Sequence, residues 1–229
     1  MASHPRLWAD RAAAGRALAE RLRQMGLPAG GAILVALPRG GVAVAAPIAA
    51  ALDLPLVSWS VRKIGHPLEP EWAIGALAPG ALVLWSRDGL GLAEAERRRL
   101  VAAQQLELER RRRLFADPDA ASLAGAHLIV VDDGIATGLT VRAALASLRG
   151  CAPASLSLAV PVLDRSLLPE LESLVDRLVV LQVVDGLGSV GAWYASFEQL
   201  DDAAVLQLLA QGRQRRSGLS CSPAPRSGS

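Results

Sequence analysis

Apolar residues recur along the chain in two registers. Continuous runs of strand length occur at 32–37 (AILVAL), 56–61, 81–85, 127–131 (HLIVV), 154–160 and 177–184. Between them lie stretches that read as helices: 8–25, 42–52, 92–115, 139–149, 164–175 and 201–210. In the first, Leu18 and Leu22 share a face while Arg16, Glu20 and Arg23 lie elsewhere, the spacing of an amphipathic helix. Residues 32–61 then read strand, loop, helix, strand, the unit of a parallel sheet. Strands alternating with helices predict an α/β fold, a mainly parallel sheet flanked by helices.

The punctuation is uneven. Pro28-Ala-Gly-Gly reads as a turn, and residues 62–75 hold Gly65, Pro67 and Pro70 among charges with no clear period, which predicts a mobile loop. Helix 92–115 carries Glu94/Arg98, Glu107/Arg111 and Glu109/Arg113 at i, i+4, a spacing that supports a helix. Its Arg110–Arg113 run could touch nucleic acid, but the interleaved glutamates favour a solvated face. From Gly212 onward the chain is Ser, Pro, Gly and Arg, so one domain over 1–211 and a disordered tail over 212–229 are expected.

Composition narrows the field. At 229 residues, 52% hydrophobic and 20% charged, the chain can bury a core, and disorder throughout is excluded. A formal net charge of +2 argues against a nucleic-acid coat. Two cysteines, Cys151 and Cys221, exclude a disulfide framework and a Cys-based metal centre, and three scattered histidines, His4, His66 and His127, argue against a His-based one. The start carries charges where a secretory signal needs an apolar run, and the longest apolar stretch, 42–61, is broken by Pro47, Asp53 and Pro55. Neither a leader nor a membrane span is expected, and the location expected is cytoplasmic. The 24 basic residues are 23 Arg and one Lys, Lys63. Against a bias that favours arginine, one lysine marks a place where a compact ammonium serves better than a guanidinium.

Ligands of parallel sheets sit beyond the carboxyl ends of the strands. Three loops there carry marked residues: 38–41, 62–75 and 132–140. The last is the most specific. Asp132 and Asp133 end an apolar strand, and Thr137-Gly138-Leu139-Thr140 opens a helix. A helix N-terminus offers unpaired N–H groups to an anion, and carboxylates accept from hydroxyls. A sugar with vicinal hydroxyls and a terminal phosphate satisfies both halves, as ribose 5-phosphate does. The alternative is an Asp-Asp turn followed by a Thr N-cap.

The string Val130-Val-Asp-Asp-Gly-Ile-Ala-Thr-Gly-Leu-Thr140 resembles the phosphoribosyl-pyrophosphate (PRPP) motif of the type I phosphoribosyltransferases. Ala36-Leu-Pro-Arg-Gly-Gly-Val, Val61-Arg-Lys-Ile-Gly, Pro70-Glu-Trp-Ala-Ile-Gly-Ala and Val190-Gly-Ala-Trp-Tyr-x-x-Phe197 are similar to landmarks of a bacterial group of that family with unsettled substrate. The resemblance implies the type I fold, with a small hood at about 185–199 plus the N-terminal helix. It implies that Asp132 and Asp133 hold the ribose hydroxyls, directly or through Mg²⁺, by water where needed. Ala136, Thr137, Gly138, Leu139 and Thr140 would cradle the 5-phosphate. Arg39, Gly40 and Gly41 would form the pyrophosphate loop, with glycines in strained backbone that turns N–H groups toward an anion. Arg62 and Lys63 would be catalytic, neutralising the leaving pyrophosphate. Trp193 or Tyr194 would stack on a planar acceptor from the hood or pack inside it. A homodimer is implied as well.

One departure matters. Relatives acting on 6-oxopurines usually hold an acid where this chain has Ala136, which weighs against hypoxanthine or guanine as acceptor. Glu69 and Glu71 are candidate substitutes for proton handling. Gly186-Leu-Gly-Ser-Val-Gly191 matches G-x-G-x-x-G, but it follows a late strand and opens no βαβ unit. The expected activity is therefore transfer of ribose 5-phosphate from PRPP, with Mg²⁺, to a nitrogen acceptor such as a nucleobase. Two other readings stay open: a non-catalytic sensor of PRPP or nucleotides, and a PRPP or nucleotide hydrolase.

Overall fold

The structure, a computed structural model, describes residues 6–26, 32–70 and 72–218, the side chains of 213–218 excepted. The expected turn at 28–31 and Glu71 lie outside the described residues. Five helices and strands follow the sequence pattern closely. These are α1 (Arg11–Gln24), β1 (Ala32–Ala36), α2 (Gly40–Leu52), β2 (Leu56–Ser58) and, further on, β6 (His127–Val131). Between β2 and β6 the chain forms β3 (Arg62–Gly65), β4 (Ala73–Ala78), β5 (Leu82–Trp85), α3 (Arg87–Gly91) and α4 (Glu94–Phe115). After β6 come α5 (Leu139–Arg149), β7 (Ser155–Asp164), α6 (Leu168–Leu174), β8 (Arg177–Val184) and α7 (Asp202–Gly218).

Five strands make one parallel sheet in the order β2-β1-β6-β7-β8, and β3-β4-β5 make a separate antiparallel sheet. Both faces of the parallel sheet are covered, which is why its strands read as unbroken apolar runs. Leu128 and Val130 of β6 face a cluster with Val141, Leu145 and Leu148 of α5. Ile129 and Val131, one residue out of phase, face Leu18 and Leu22 of α1 and Val42 and Ile48 of α2. The expected mainly parallel α/β architecture is the one observed.

The order also fixes where a ligand fits. From β1 the chain steps outward to β2, and from β6 it steps the other way to β7 and β8. The loops after β1 and β6 therefore diverge from neighbouring strands, the crevice where open α/β sheets bind ligands.

Residues 62–75 correct the sequence reading. They are largely a hairpin: Arg62 pairs with Leu77, Lys63 with Ala76 and Ile64 with Gly75, and the register slips between Ile64 and Gly65. His66 is half-buried, and 67–70 and Trp72 are exposed where the two arms join. The strands are short and the bulge breaks their alternation, so no period shows in sequence. What holds them is tertiary: Ile64, Ile74 and Leu77 bury against Leu108 of α4. Elsewhere the helix expected from 164 starts as a 3-10 turn, Arg165–Leu167. Helix α7 runs to Gly218, past the position where the tail is expected, and 219–229 lie outside the described residues.

Helix α4 ends against the sheet. The Asp117 carboxylate, just beyond it, accepts from Ser58 Oγ at 2.6 Å and from the Ser60 amide at 2.7 Å. This ties the last turn of α4 to the carboxyl end of β2. Asp117→Ala leaves the buried Ser60 amide without its acceptor and the Ser58 hydroxyl with only the longer bond to the Phe115 carbonyl, at 3.4 Å, and is expected to destabilise the fold by about 1–3 kcal/mol. Urea unfolding followed by circular dichroism measures it; a midpoint unchanged from the parent would show that α4 is not anchored there.

Candidate functional site

The β6 loop forms a hollow of about 130 Å³ lined by Asp132, Gly134, Ile135, Ala136, Thr137, Gly138, Thr140 and Val141. Strand β6 delivers Asp132 to its edge, and α5 points its first turn into it. Gly138 is the N-cap, at φ +73°, and no side chain caps the helix. An L side chain is disfavoured at that φ, so the glycine, rather than a capping threonine, sets the turn. The Thr-cap alternative is thereby corrected. Thr137 is exposed and Thr140 half-buried, and both line the hollow at a helix start whose amides lack intrahelical acceptors.

The two acids are differently placed. Asp132 accepts from the Asp133 amide at 2.9 Å and has no ion-pair partner among the described residues. Burial first, and the Asp133 charge second, hold its carboxyl well above the usual carboxylate range. Asp133 is also raised by burial, against the pull of Arg11. Its Oδ2 accepts from Arg11 Nε at 2.7 Å, with the side chains only 15% and 12% exposed. Arg11 in turn donates to the Glu198 carbonyl at 2.8 Å and lies 3.6 Å over the Phe197 ring. The sequence reading did not single out Arg11. No motif signals it, because its partner is 122 residues away.

The N-terminal segment reaches the site through the hood. The Leu7 amide donates to the Trp193 carbonyl, and the Ala195 and Ser196 amides donate to Trp8 and Ala9 carbonyls. The stacking role for Trp193 and Tyr194 is corrected here: both are buried. Trp193 packs with Ala14, Val162 and Leu187 and donates to the Leu187 carbonyl at 3.4 Å. Tyr194 lies between Trp8 and Phe197, and its hydroxyl donates to the Asp133 carbonyl at 2.5 Å. Burial first, then the Asp133 charge, raise its phenol, so it stays a neutral donor. The hood rings brace the acids from behind.

Across the crevice lies the β1 loop. The Pro38–Arg39 peptide is cis. Neither Gly40 nor Gly41 has a positive φ, and the Gly41 amide donates to the Leu37 carbonyl. The expected reason for these glycines is therefore corrected: they permit close approach. A Cβ on Gly40 would stand 1.9 Å from Asp133 Oδ2, and one on Gly41 2.5 Å from the Val131 carbonyl oxygen. Arg39 lies 4.0 Å from Asp202 of α7. On β3, Lys63 is exposed and Arg62 half-buried, on opposite faces as the strand's period of two requires. Arg62 Nε donates to Gln104 of α4 at 3.1 Å. Glu69 is exposed in the hairpin link. No group of three or more His, Cys, Asp or Glu side chains that could hold a metal occurs among the described residues. A divalent ion would rest on the Asp132–Asp133 pair together with ligand oxygens, the manner in which Mg²⁺ is commonly held. The half-buried Asp132 carboxylate, without an ion-pair partner among the described residues, suits that cation. No helix among the described residues is long and apolar enough to cross a membrane.

Residues 8–186 match the family model of the phosphoribosyl transferase domain. Two Mycobacterium tuberculosis proteins, from strains CDC 1551 / Oshkosh and H37Rv, carry provisional phosphoribosyl transferase names and are 36% identical over 208 residues. The match takes in 89% of this chain and 46% of each of theirs, so the chain spans about half the length of those relatives. The crystal structure of TT1426 from Thermus thermophilus superposes with a TM-score of 0.70 at 35% identity, over 88% of this chain and 97% of that one. The chain belongs to the phosphoribosyltransferase family, with the type I fold.

Two opposed stability effects follow from the acids. Arg11→Ala strips a buried carboxylate of its cation and is expected to destabilise by about 3–5 kcal/mol. Asp132→Asn removes a charge that the fold strains to bury. A carboxyl raised in the folded state contributes stability that is fully present below its unfolded pKa and is lost as pH rises through the folded one. The Asn variant should therefore melt a few degrees above the parent at pH 8 and match it near pH 3, as read by thermal denaturation of the ligand-free protein. A lower midpoint at pH 8 would show that Asp132 is satisfied without a ligand.

Proposed function

We propose that the chain is a phosphoribosyltransferase that takes PRPP, with Mg²⁺, and transfers its ribose 5-phosphate to a nitrogen acceptor. The observation that carries the reading is the β6 hollow, where a half-buried carboxylate without an ion-pair partner among the described residues and an uncapped helix N-terminus line one cavity at the sheet's switch point. Acceptor oxygens stand at one end and donor amides at the other, the demand of a phosphorylated diol.

In this reading Asp132 and Asp133 hold the ribose hydroxyls, directly or through the metal, and the amides and hydroxyls of 136–140 take the 5-phosphate. The C1–O bond to pyrophosphate breaks, and a bond forms from C1 to the acceptor nitrogen, which gives up its proton. The sugar passes through an oxocarbenium-like state while negative charge gathers on the leaving group. Arg39, Arg62 and Lys63 serve that charge, where donors stabilise the transition state more than the ground state. Mg²⁺, when bound, supplies further charge neutralisation. Ala136 offers no acid to the acceptor, which disfavours 6-oxopurines. The acceptor is a nitrogen heterocycle or amine that needs no such help.

Isothermal titration with PRPP and Mg²⁺ tests the site. The parent should bind, and Asp132→Asn should keep the fold and lose most of the heat. Equal heats in parent and in the Asp132→Asn/Asp133→Asn pair would remove the assigned site. Pyrophosphate release across a panel of bases and small amines then tests the reaction. Ribose 5-phosphate formed without any acceptor would mark a hydrolase instead, and binding without turnover on any acceptor would mark a sensor.

A further inference from the structure

Helix α4 turns one stripe inward, with Leu108 and Phe115 buried and Val101, Gln104 and Arg111 half-buried, at the three- and four-residue steps of a core-facing helix. Leu108 and Phe115 are fully buried. Arg111 stands between them in the sequence of that stripe, with its side chain 15% exposed. The interleaved glutamates predict a solvated face for the Arg110–Arg113 run, and for Arg111 the structure corrects that. A guanidinium on the inward stripe is costly unless something answers its charge.

Its surroundings do not answer it fully. Arg111 Nε meets Glu107 Oε1 at 2.9 Å. Arg110 meets the same Glu107 at 2.7 Å and Asp202 of α7 at 3.1 Å. Arg39 lies 4.0 Å from that Asp202. Arg62, held by the neutral Gln104, is lowered by burial and then by the charge of Arg111, with Arg110 and Arg39 adding smaller effects against Glu107. Among the described residues, four guanidiniums from three parts of the chain thus share two carboxylates. Glu107 is correspondingly pulled down to about 2, chiefly by its hydrogen bond from Arg110.

The place is informative. Arg39 sits in the loop leaving β1 at the switch point, Arg62 follows β2, and Asp117 pins the end of α4 to the carboxyl end of β2. The group therefore lies on the carboxyl edge of the sheet, on the far side of β1 from the sugar hollow at β6. A ligand with its sugar and one phosphate at the β6 loop would extend an anionic second end across β1 toward it. Planar guanidiniums match phosphoryl oxygens in pairs.

We propose that Arg110 and Arg111 of α4 join Arg39 and Arg62 in a binding site for the pyrophosphate end of the sugar donor. Glu107 and Asp202 hold the arginines in place and compete with the incoming phosphates. The identity of the anion rests on the phosphoribosyltransferase reading; the site itself rests on the arginines.

Inorganic pyrophosphate with Mg²⁺, titrated calorimetrically into the full chain at two salt concentrations, is the probe. Arg111→Gln is expected to weaken it roughly tenfold, the loss of about one charge-assisted contact, and Arg110→Gln to weaken it by less. Glu107→Gln should tighten binding several-fold, a gain that a merely structural ion pair would not give. Arg98→Gln, in an exposed pair with Glu94 on the same helix, should change nothing. Thermal midpoints report whether each variant is folded. No pyrophosphate binding by the parent, equal affinities in parent and Arg111→Gln, or weakening by Glu107→Gln as large as that by Arg111→Gln would each overturn the proposal. Failure of the functional reading looks different: pyrophosphate binds and depends on Arg111, while PRPP binding is indifferent to Asp132 and Asp133.

Discussion

At the end of β6 two adjacent carboxylates are pressed out of water and against each other, and neighbouring elements are shaped by that repulsion. Arg11 comes from the first helix to neutralise Asp133, and the Tyr194 hydroxyl takes the Asp133 carbonyl. The chain start is clipped to residues 193–196 by backbone hydrogen bonds, which brings Arg11 into reach. Gly40 gives up its side chain so that the first turn of α2 can pass the same carboxylate. Asp164, at the end of β7, accepts from the Leu187 amide at 2.7 Å and so fixes the start of the hood. All of this serves Asp133. Asp132 is left to the backbone and to distant charge, so the ligand-free fold holds one carboxylate whose burial is not answered. A polyhydroxyl ligand or a divalent ion would complete the balance, and binding energy would be gained where folding energy was withheld.

The parallel sheet could be read from sequence because its signals are local and redundant. The central strands β1 and β6 are buried on both faces, so their residues are almost wholly apolar, and Pro38 or Asp132 closes each soon after its end. The acid pair and the Thr-Gly turn were legible for the same reason: a strand, two carboxylates and a helix start lie within a dozen residues. The hairpin of β3 and β4 was not legible. Its arms are four and six residues long, its bulge shifts the phase, and its partner surface is a helix that begins later in the chain. Arg11 was invisible in another way. One arginine among 23 carries no signal until the fold brings α1 beside β6.

The glycines and aromatic residues show the difference between recognising a position and knowing its work. Gly40-Gly41 reads as a loop for anions. The structure uses the two glycines for contact with Asp133 and Val131, without a positive φ at either. Trp193 and Tyr194 read as a platform for a planar ligand, but their ring faces meet Ala14, Val162, Trp8 and Phe197 instead. In both cases residue type fits two physical roles equally, stacking or packing, amide presentation or close approach. Only burial separates them.

Arginine content alone says little in a chain whose basic residues are nearly all arginine. Position says more. Arg98 and Arg113 lie on exposed turns of α4, where a guanidinium loses little hydration and an ion pair is worth little. Arg111 occupies a place that the repeat of Leu108 and Phe115 would give to an apolar side chain, and its charge bears on Arg62. A guanidinium on a largely buried stripe, next to like charges, lowers the stability of the empty fold. It is consistent with the same physical economy as Asp132: a surplus of one sign on the β6 side of the crevice, a surplus of the other on the β2 side. A ligand carrying hydroxyls and cations at one end and phosphates at the other would relieve both at once.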